Sequence, residues 1–412
     1  MKGWWRLPLS SRDKQALLTL LTLACTSLLA LAAAAFPVEV AVTAVAPPAL
    51  QPEFVAVGRH PAPHPLAAAL VYDNLAGLWI KAWAESDATP QQLIPAEGGF
   101  VHQAAFSPDG RYLVFARHTT EKQGLFILDL TTREERLLLA ADPDTVLLHP
   151  TWSPTGDQIA FTRIGRSDVL GESAPLAQAS VWIIQVDGTG LRRVTHGEHP
   201  TWSPDGRRLA VQRPGPVLRF PAVPQPQQPA NYRATLRVVR PELWVVEPAT
   251  GTARYVTTGG EPAWSPDGRY LAFIDYAATT GTAGDLLRSF LWLLTTSLGT
   301  IPEGPTLAGE AAARLIDPPR TVRLFRELWV IELASGRRQR LTAATQPLAT
   351  PSRSAADTEQ PVLRPGVQEL PPDYGLHAEY DPAWGADGKT LFFASYLRES
   401  GSFEIFALPF PR

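Results

Sequence analysis

The decapeptide Trp-Ser-Pro-Asp-Gly-Arg-Tyr-Leu-Ala-Phe, residues 264 to 273, recurs along the chain in recognisable copies. Phe106 to Phe115 is one. Trp152 to Gly156 leads into Ile159-Ala160-Phe161, and Trp202 to Gly206 leads into Leu209-Ala210-Val211. Trp384 to Phe393 is a fifth, degenerate copy. From aromatic to aromatic the spacings are 46, 50, 62 and 120 residues. A supersecondary unit repeating every 40–50 residues or so has the period of propeller blades.

The chemistry of the repeat specifies a tight hairpin. In Ser-Pro-Asp-Gly the proline presets φ for the second turn position, the aspartate can bond nearby backbone N–H groups, and the glycine takes a left-handed conformation without steric cost. Asp109-Gly110, Gly156, Asp205-Gly206, Asp267-Gly268 and Asp387-Gly388 therefore read as structural turn residues. The aromatic closes one strand, and the Leu-Ala-Phe-like run opens another whose successive apolar residues suit a strand covered on both faces. Two further strand-like runs follow each full copy, as in Glu327-Leu-Trp-Val-Ile-Glu-Leu, a Ser-Gly turn, and Arg338 to Thr342. The unit is thus four antiparallel strands, a to d from the centre outward. An earlier unit without the turn motif spans 66 to 94, and the last unit lacks strand d. Residues 38–45 (VEVAVTAV) are expected to supply that missing outer strand, and 53–58 (EFVAVG) the missing inner strand of the first unit, so that the ring closes without open edges.

The repeated W-S-P-D-G-x-x-L-A-F, followed by an L-W-V-like strand, a glycine turn and an R-x-L-T ending, resembles the WD40-like repeat of the TolB-family six-bladed β-propellers, over about residues 66 to 412. The resemblance implies an all-β fold of six four-stranded antiparallel blades. It implies display in the cell envelope, outside the cytoplasm. It reaches the propeller alone, because no counterpart of that family's separate N-terminal domain fits before residue 50. Related propellers also form the non-catalytic part of some serine peptidases, and no hydrolase domain is expected here.

The N-terminus reads as a targeting segment. Lys2, Arg6, Arg12 and Lys14 precede a charge-free stretch whose apolar part runs from about Ala16 to Phe36. About 20 apolar residues suffice to span a bilayer as a hydrophobic helix, and the basic flank would keep the N-terminus inside and the propeller outside. The expected organisation is therefore an anchor or signal peptide over 1–36 and a propeller over 37–412. Two further readings of the segment stand beside the anchor: export after cleavage near Ala35, and acylation of Cys25, which lacks the leucine three places before it that a lipobox wants. Cys25 is also the only cysteine, so no intrachain disulfide is available. The net charge of −3 offers no general attraction to nucleic acid.

Long insertions are expected at about 213–240, 276–325 and 344–380, with a shorter one at 164–179. All lie in b–c or d–a connections, which leave a four-stranded blade on one side, so the added mass decorates one face of the disc. Proline-rich stretches such as 221–231 also suit linkers that bind nothing, which is the reading for 344–380 and not for 276–325. Within 276–325, residues 283–299 (AGDLLRSFLWLLTTSLG) have the pattern of a short amphipathic helix, packed over the disc or meeting a membrane or partner.

One constellation could carry chemistry. Three residues before the motif aromatics stand Gln103, His149, His199, Glu261 and Asp381, with Glu53 aligning as a sixth. These positions begin strand a and should ring the central channel. The prolines that follow four of them favour extended backbone. His149, His199, Glu261 and Asp381 are residue types that would ligate a divalent cation; the same positions also suit polar strand starts in a wet channel. No G-x-S-x-G elbow, H-E-x-x-H motif or phosphate-cradling loop is present. The reading is a non-catalytic scaffold that binds an envelope protein or peptide through the insertion-bearing face. The alternative is a metal-dependent hydrolase or lyase working through the channel ring.

Overall fold

The computed structural model describes residues 52–84, 88–165, 179–221, 235–280, 322–342, 377–397 and 402–410. Among the described residues all regular structure is β, and no helix is long and apolar enough to cross a membrane. The expected segment 1–36, the 38–45 strand, Cys25 and the 283–299 helix lie outside the described residues.

The compact unit Leu50–Arg412 holds six four-stranded antiparallel sheets, the blades of a six-bladed propeller. Blade 1 comprises Arg59–Pro63, Ala69–Asn74, Gly77–Ala82 and Gln91–Pro95. Blade 2 comprises Phe100–Phe106, Tyr112–His118, Gln123–Asp129 and Glu135–Ala140, and blade 3 Thr145–Trp152, Gln158–Gly165, Ser180–Gln185 and Arg192–His196. Blade 4 is built from Glu198–Trp202, Leu209–Arg213, Glu242–Val246 and Ala253–Thr258, and blade 5 from Gly260–Trp264, Tyr270–Thr280, Val322–Glu332 and Arg338–Arg340. In blade 6, His377–Trp384, Thr390–Leu397 and Ser402–Pro409 are completed by the N-terminal strand Glu53–Val57.

Ring closure corrects the sequence reading by one strand. Residues 53–57 form the outer strand of blade 6, paired antiparallel with Ser402–Pro409, and not the inner strand of blade 1. That inner strand is Arg59–Pro63, with sequence RHPAP. The reason is solvation. An inner strand faces a polar channel and has little apolar pattern to show, whereas Val55, Ala56 and Val57 are fully buried and belong under a neighbouring blade. The Lys81 ammonium of blade 1 then donates to the Val55 carbonyl at 2.9 Å, tying the two ends of the ring.

The turns of blades 2, 4 and 5 are built alike. In blade 2 the Ser107 hydroxyl donates to Asp109 and accepts from the Tyr112 N–H at 2.9 Å, while Gly110 N–H returns to Ser107 O at 2.9 Å. Gly206 shows why the last turn position is glycine. Its φ is +69°, and a Cβ there would stand 3.2 Å from Pro154 of the previous turn. The c–d connections are short except in blade 1, where residues 83–90 join the strands.

The core is divided among the junctions. Six apolar clusters form, each shared by two adjacent blades, for example Val114, Leu125 and Ile127 of blade 2 with Trp152, Ile159 and Phe161 of blade 3. Strand b is the centre of each blade, and Leu113 to Arg117 are all buried. A hairpin of Val217–Pro221 with Thr235–Val239 extends blade 4, and in blade 5 strands b and c stay paired out to Thr280 and Val322.

Because Val57 is buried in the closing strand, Val57→Ala should lower stability by about 1–3 kcal/mol in urea unfolding. Removing residues 1–57 should cost far more, because it leaves blade 6 with an open edge. Equal stability of the truncated and full chains would show that closure does not depend on this strand.

Candidate functional site: the channel ring

Six residues of the same kind of backbone face the axis. His60, Gln103, His149, His199, Glu261 and Asp381 have φ of +47°, +57°, +50°, +49°, +54° and +50°. In all six inner strands the register against strand b shifts at this residue, which makes a β-bulge. This corrects two expectations. The sixth member is His60 and not Glu53, which pairs with Ala407 in the outer strand of blade 6. The backbone at the ring is left-handed and not extended, despite the prolines that follow. A bulge re-aims the side chain at such a point, and a left-handed non-glycine residue costs about 1–3 kcal/mol, so the surroundings must hold it in place.

They do so across the blade junctions. The backbone N–H of Gln103 donates to Asp73 Oδ1 at 3.0 Å, that of His149 to Gln103 Oε1 at 2.8 Å, and that of His199 to Thr162 Oγ1 at 3.1 Å. The N–H of Glu261 donates to Gln212 Oε1 at 2.8 Å, and that of Asp381 to Glu261 Oε2 at 2.8 Å. Each acceptor belongs to the preceding blade. Opposite the residue before each ring position, strand b carries Asp73, Ala116, Thr162, Gln212, Ile274 or Ala394. Where that residue is polar, it serves as the acceptor and the ring residue of that blade is a histidine. Where it is alanine or isoleucine, the ring residue is Gln103, Glu261 or Asp381, which bears its own carbonyl or carboxylate oxygen. Gln103 and Glu261 supply the missing acceptor themselves. Asp381 reaches the next blade through His60, with Oδ2 3.5 Å from Nε2.

The charges in the ring are mostly paired. Arg326 bonds Glu261 and lies over the Tyr380 ring at 3.8 Å. Burial would raise the Glu261 pKa, but Arg326, His199 and the Asp381 N–H together outweigh it and the carboxyl is held at about 2. His60 Nδ1 stands 2.7 Å from Asp73 Oδ1. Burial alone would lower the His60 pKa; Asp381 and Asp73 together reverse this and raise it. His149 and His199 stack face to face, with centroids 3.5 Å apart. Burial, reinforced by His199, drives the His149 pKa well below the ordinary value, so it is a neutral imidazole at pH 7. One residue outside the ring, His102, is pushed down to about 3, chiefly by burial.

From this ring a cavity of about 450 Å³ runs along the axis to the Ser-Pro turns. Its walls are layered. Next to the ring come Pro61, Ala104, Pro150, Pro200, Pro262 and Pro382; beyond the small residues Ala105, Thr151 and Thr201 stand Phe106, Trp152, Trp202, Trp264 and Trp384. The indole N–H groups of Trp152 and Trp384 donate to Ala105 O and Ala263 O of the preceding blades at 3.2 Å. The five ring residues expected from sequence are thus brought together, joined by His60, Asp73, Arg326 and His102. Asp73 and Arg326 lie on strands b and c, and no local signal marked them. Among the described residues no group of three or more His, Cys, Asp or Glu side chains is placed to hold a metal ion. Of the four residue positions expected as ligands, Glu261 is engaged by Arg326 and by the Asp381 N–H.

Fold and ring together define a six-bladed β-propeller with a hydrogen-bonded polar ring at one end of its channel. Among solved structures, TolB from Acinetobacter baumannii is similar at 13% identity and a TM-score of 0.40, over 86% of this chain and 63% of that one. The chain thus spans less than two thirds of that protein's length. A TolB from Agrobacterium tumefaciens, described as putative, is similar at 17% identity and a TM-score of 0.42, over 70% and 81% of the two chains. A gluconolactonase from Xanthomonas campestris is similar at 15% identity and a TM-score of 0.45, over 88% of each. No family model and no curated protein matches the chain.

Two outcomes test the ring. Gln103→Leu strands the buried His149 N–H and should cost about 1–3 kcal/mol in urea unfolding, whereas Gln103→Glu keeps an acceptor and should cost less. Equal losses would show that the acceptor is not what matters. His102 has a folded pKa below its unfolded one. Its contribution is therefore present above pH 6.5 and is lost as pH falls toward about 3. Stability should decline across that window, and His102→Gln should flatten the decline; an unchanged slope would show that His102 is not responsible.

Proposed function

We infer that the chain is a non-catalytic binding propeller, held outside the cytoplasmic membrane by its N-terminal apolar segment, whose partner is a protein or peptide seated on the insertion-bearing end of the disc. One observation carries the non-catalytic part. Gln103 and Glu261 are bonded to neighbouring backbone, Asp381 and His60 face one another, and His149 is held neutral by burial. A general base needs a pKa near the working pH and a free site for the proton it takes; Gln103 and Glu261 are committed to the backbone of the next blade, and the Glu261 carboxyl is held far below that range. The topology supports the choice of surface. The connections spanning 166–178, 222–234, 281–321 and 343–376 all join strand ends on the side where strand a begins, and long connections on one face of a repeat protein are its usual binding elements.

The test uses the membrane-tethered full chain and its envelope. Crosslinking should capture the same partner with wild type and with His149→Ala/His199→Ala. Replacing 343–376 or 222–234 by a short Gly-Ser linker should abolish capture. Stoichiometric metal in the purified protein, lost in the double histidine variant together with a hydrolytic or eliminating activity, would establish the hydrolase or lyase reading instead.

A further inference from the structure

A second cavity, of about 380 Å³, opens between blades 2 and 3 near the Ser-Pro turns, at the end of the disc opposite the channel ring. Two aromatic walls bound it. Tyr112, the first residue of strand b in blade 2, and Trp152, the last of strand a in blade 3, are stacked at 29° with centroids 6.4 Å apart. Ile127 and Val186 form its apolar bed, and the exposed Asp109 and Arg136 edge it.

The propeller contains a copy of this groove that is filled. Between blades 5 and 6, Tyr270 and Trp384 hold the same positions as Tyr112 and Trp152. There Phe410 lies edge-on to both, 5.3 Å from Tyr270 at 66° and 4.9 Å from Trp384 at 81°, and is buried. Edge-to-face packing at these separations is the favoured arrangement of aromatic pairs. The residue matching Phe410 in blade 3 is Val186. Both follow strand c, and both donate their N–H to the residue before strand b, Phe410 to Lys389 O and Val186 to Asp157 O. Between blades 4 and 5 the corresponding space is covered by the Arg208 guanidinium, 5.3 Å above Trp264. The groove of blades 2 and 3 thus has the walls that hold a phenyl ring elsewhere in the chain, and a valine where the ring would be.

We propose that this groove binds an aromatic side chain of a peptide supplied by a partner, the ring seated over Val186 against the edges of the stacked Tyr112 and Trp152, where Phe410 sits against Tyr270 and Trp384. The occupant is a peptide because the internal precedent is one: Phe410 follows Pro409 on an extended strand. At the rim, Asp109 Oδ2 and the guanidinium nitrogens of Arg136 other than the one that bonds Val186 O at 2.8 Å face a peptide's backbone donors and acceptors.

The probe is the blocked tetrapeptide acetyl-Leu-Pro-Phe-Pro-amide, titrated into the full chain by calorimetry with saturation-transfer NMR to identify the bound group. The expected result is binding with the phenyl protons in closest contact, weakened by about tenfold or more in Val186→Phe, which fills the groove from within, and in Tyr112→Ala. Val186→Phe should keep or raise the thermal midpoint, which shows that the loss is occupancy and not unfolding. No binding at several millimolar, equal binding of the alanine analogue, or unchanged affinity in Val186→Phe would overturn the proposal. So would N-acetylphenylalaninamide binding as tightly as the tetrapeptide, since a free aromatic would then suffice. Linker replacement of 343–376 leaves this titration unchanged, so it stands or falls apart from the partner surface inferred above.

Discussion

The left-handed residue in each inner strand, its N–H held by the blade before it in five of the six, is the constraint on which the centre of this molecule depends. Blades alone are four-stranded sheets with apolar faces, and apolar packing sets no particular angle between them. The bond from one blade to the bulge of the next is directional. It satisfies a donor that the bulge has removed from the ladder, in a place where leaving it unmade costs about 1–3 kcal/mol. Identity at the ring follows from supply. Where Asp73, Thr162 or Gln212 provides an oxygen, a histidine is accommodated; where Ala116, Ile274 or Ala394 provides none, the ring residue carries a carbonyl or carboxylate. Two of the ring residues, Gln103 and Glu261, thereby serve the backbone of the next blade.

The parts of this arrangement that depend on neighbours in sequence were legible. The hairpins rest on local turn chemistry, so the blades and five ring positions could be counted from the repeated motif. The rest depends on contacts between distant segments. His60 sits in RHPAP, which has three polar or proline positions in a row and reads as a connection, while the apolar 53–57 draws the eye as a first strand. The inner strand is recognisable only once the channel is known to be polar. The prolines after the ring residues pointed to extended backbone, and the cross-blade bonds outweigh that preference. Asp73 and Arg326 became part of the ring through strand pairing and the alternation of faces, neither of which leaves a motif.

The two ends of the disc have different characters. One carries the ring, with Arg326, Tyr380 and His102 around it. The other is a collar of prolines, serines and aromatic rings formed by nearly identical turns. The turns are regular, so the departures from regularity among them are informative, as with Phe410 after strand c of blade 6, where the equivalent positions of blades 2, 3 and 5 carry Leu130, Val186 and Leu333. A propeller of this kind says little about activity by its fold alone; its chemistry lies in such departures.

Closure by Glu53–Val57 also sets the order of events during synthesis. This segment leaves the ribosome long before its pairing partner, Ser402–Pro409, is made. Until then Phe54 to Val57 is an apolar edge strand without a sheet, the kind of segment that invites the wrong pairing. The nascent protein therefore depends on something other than its own sheet to shield those few residues until the ring can be sealed.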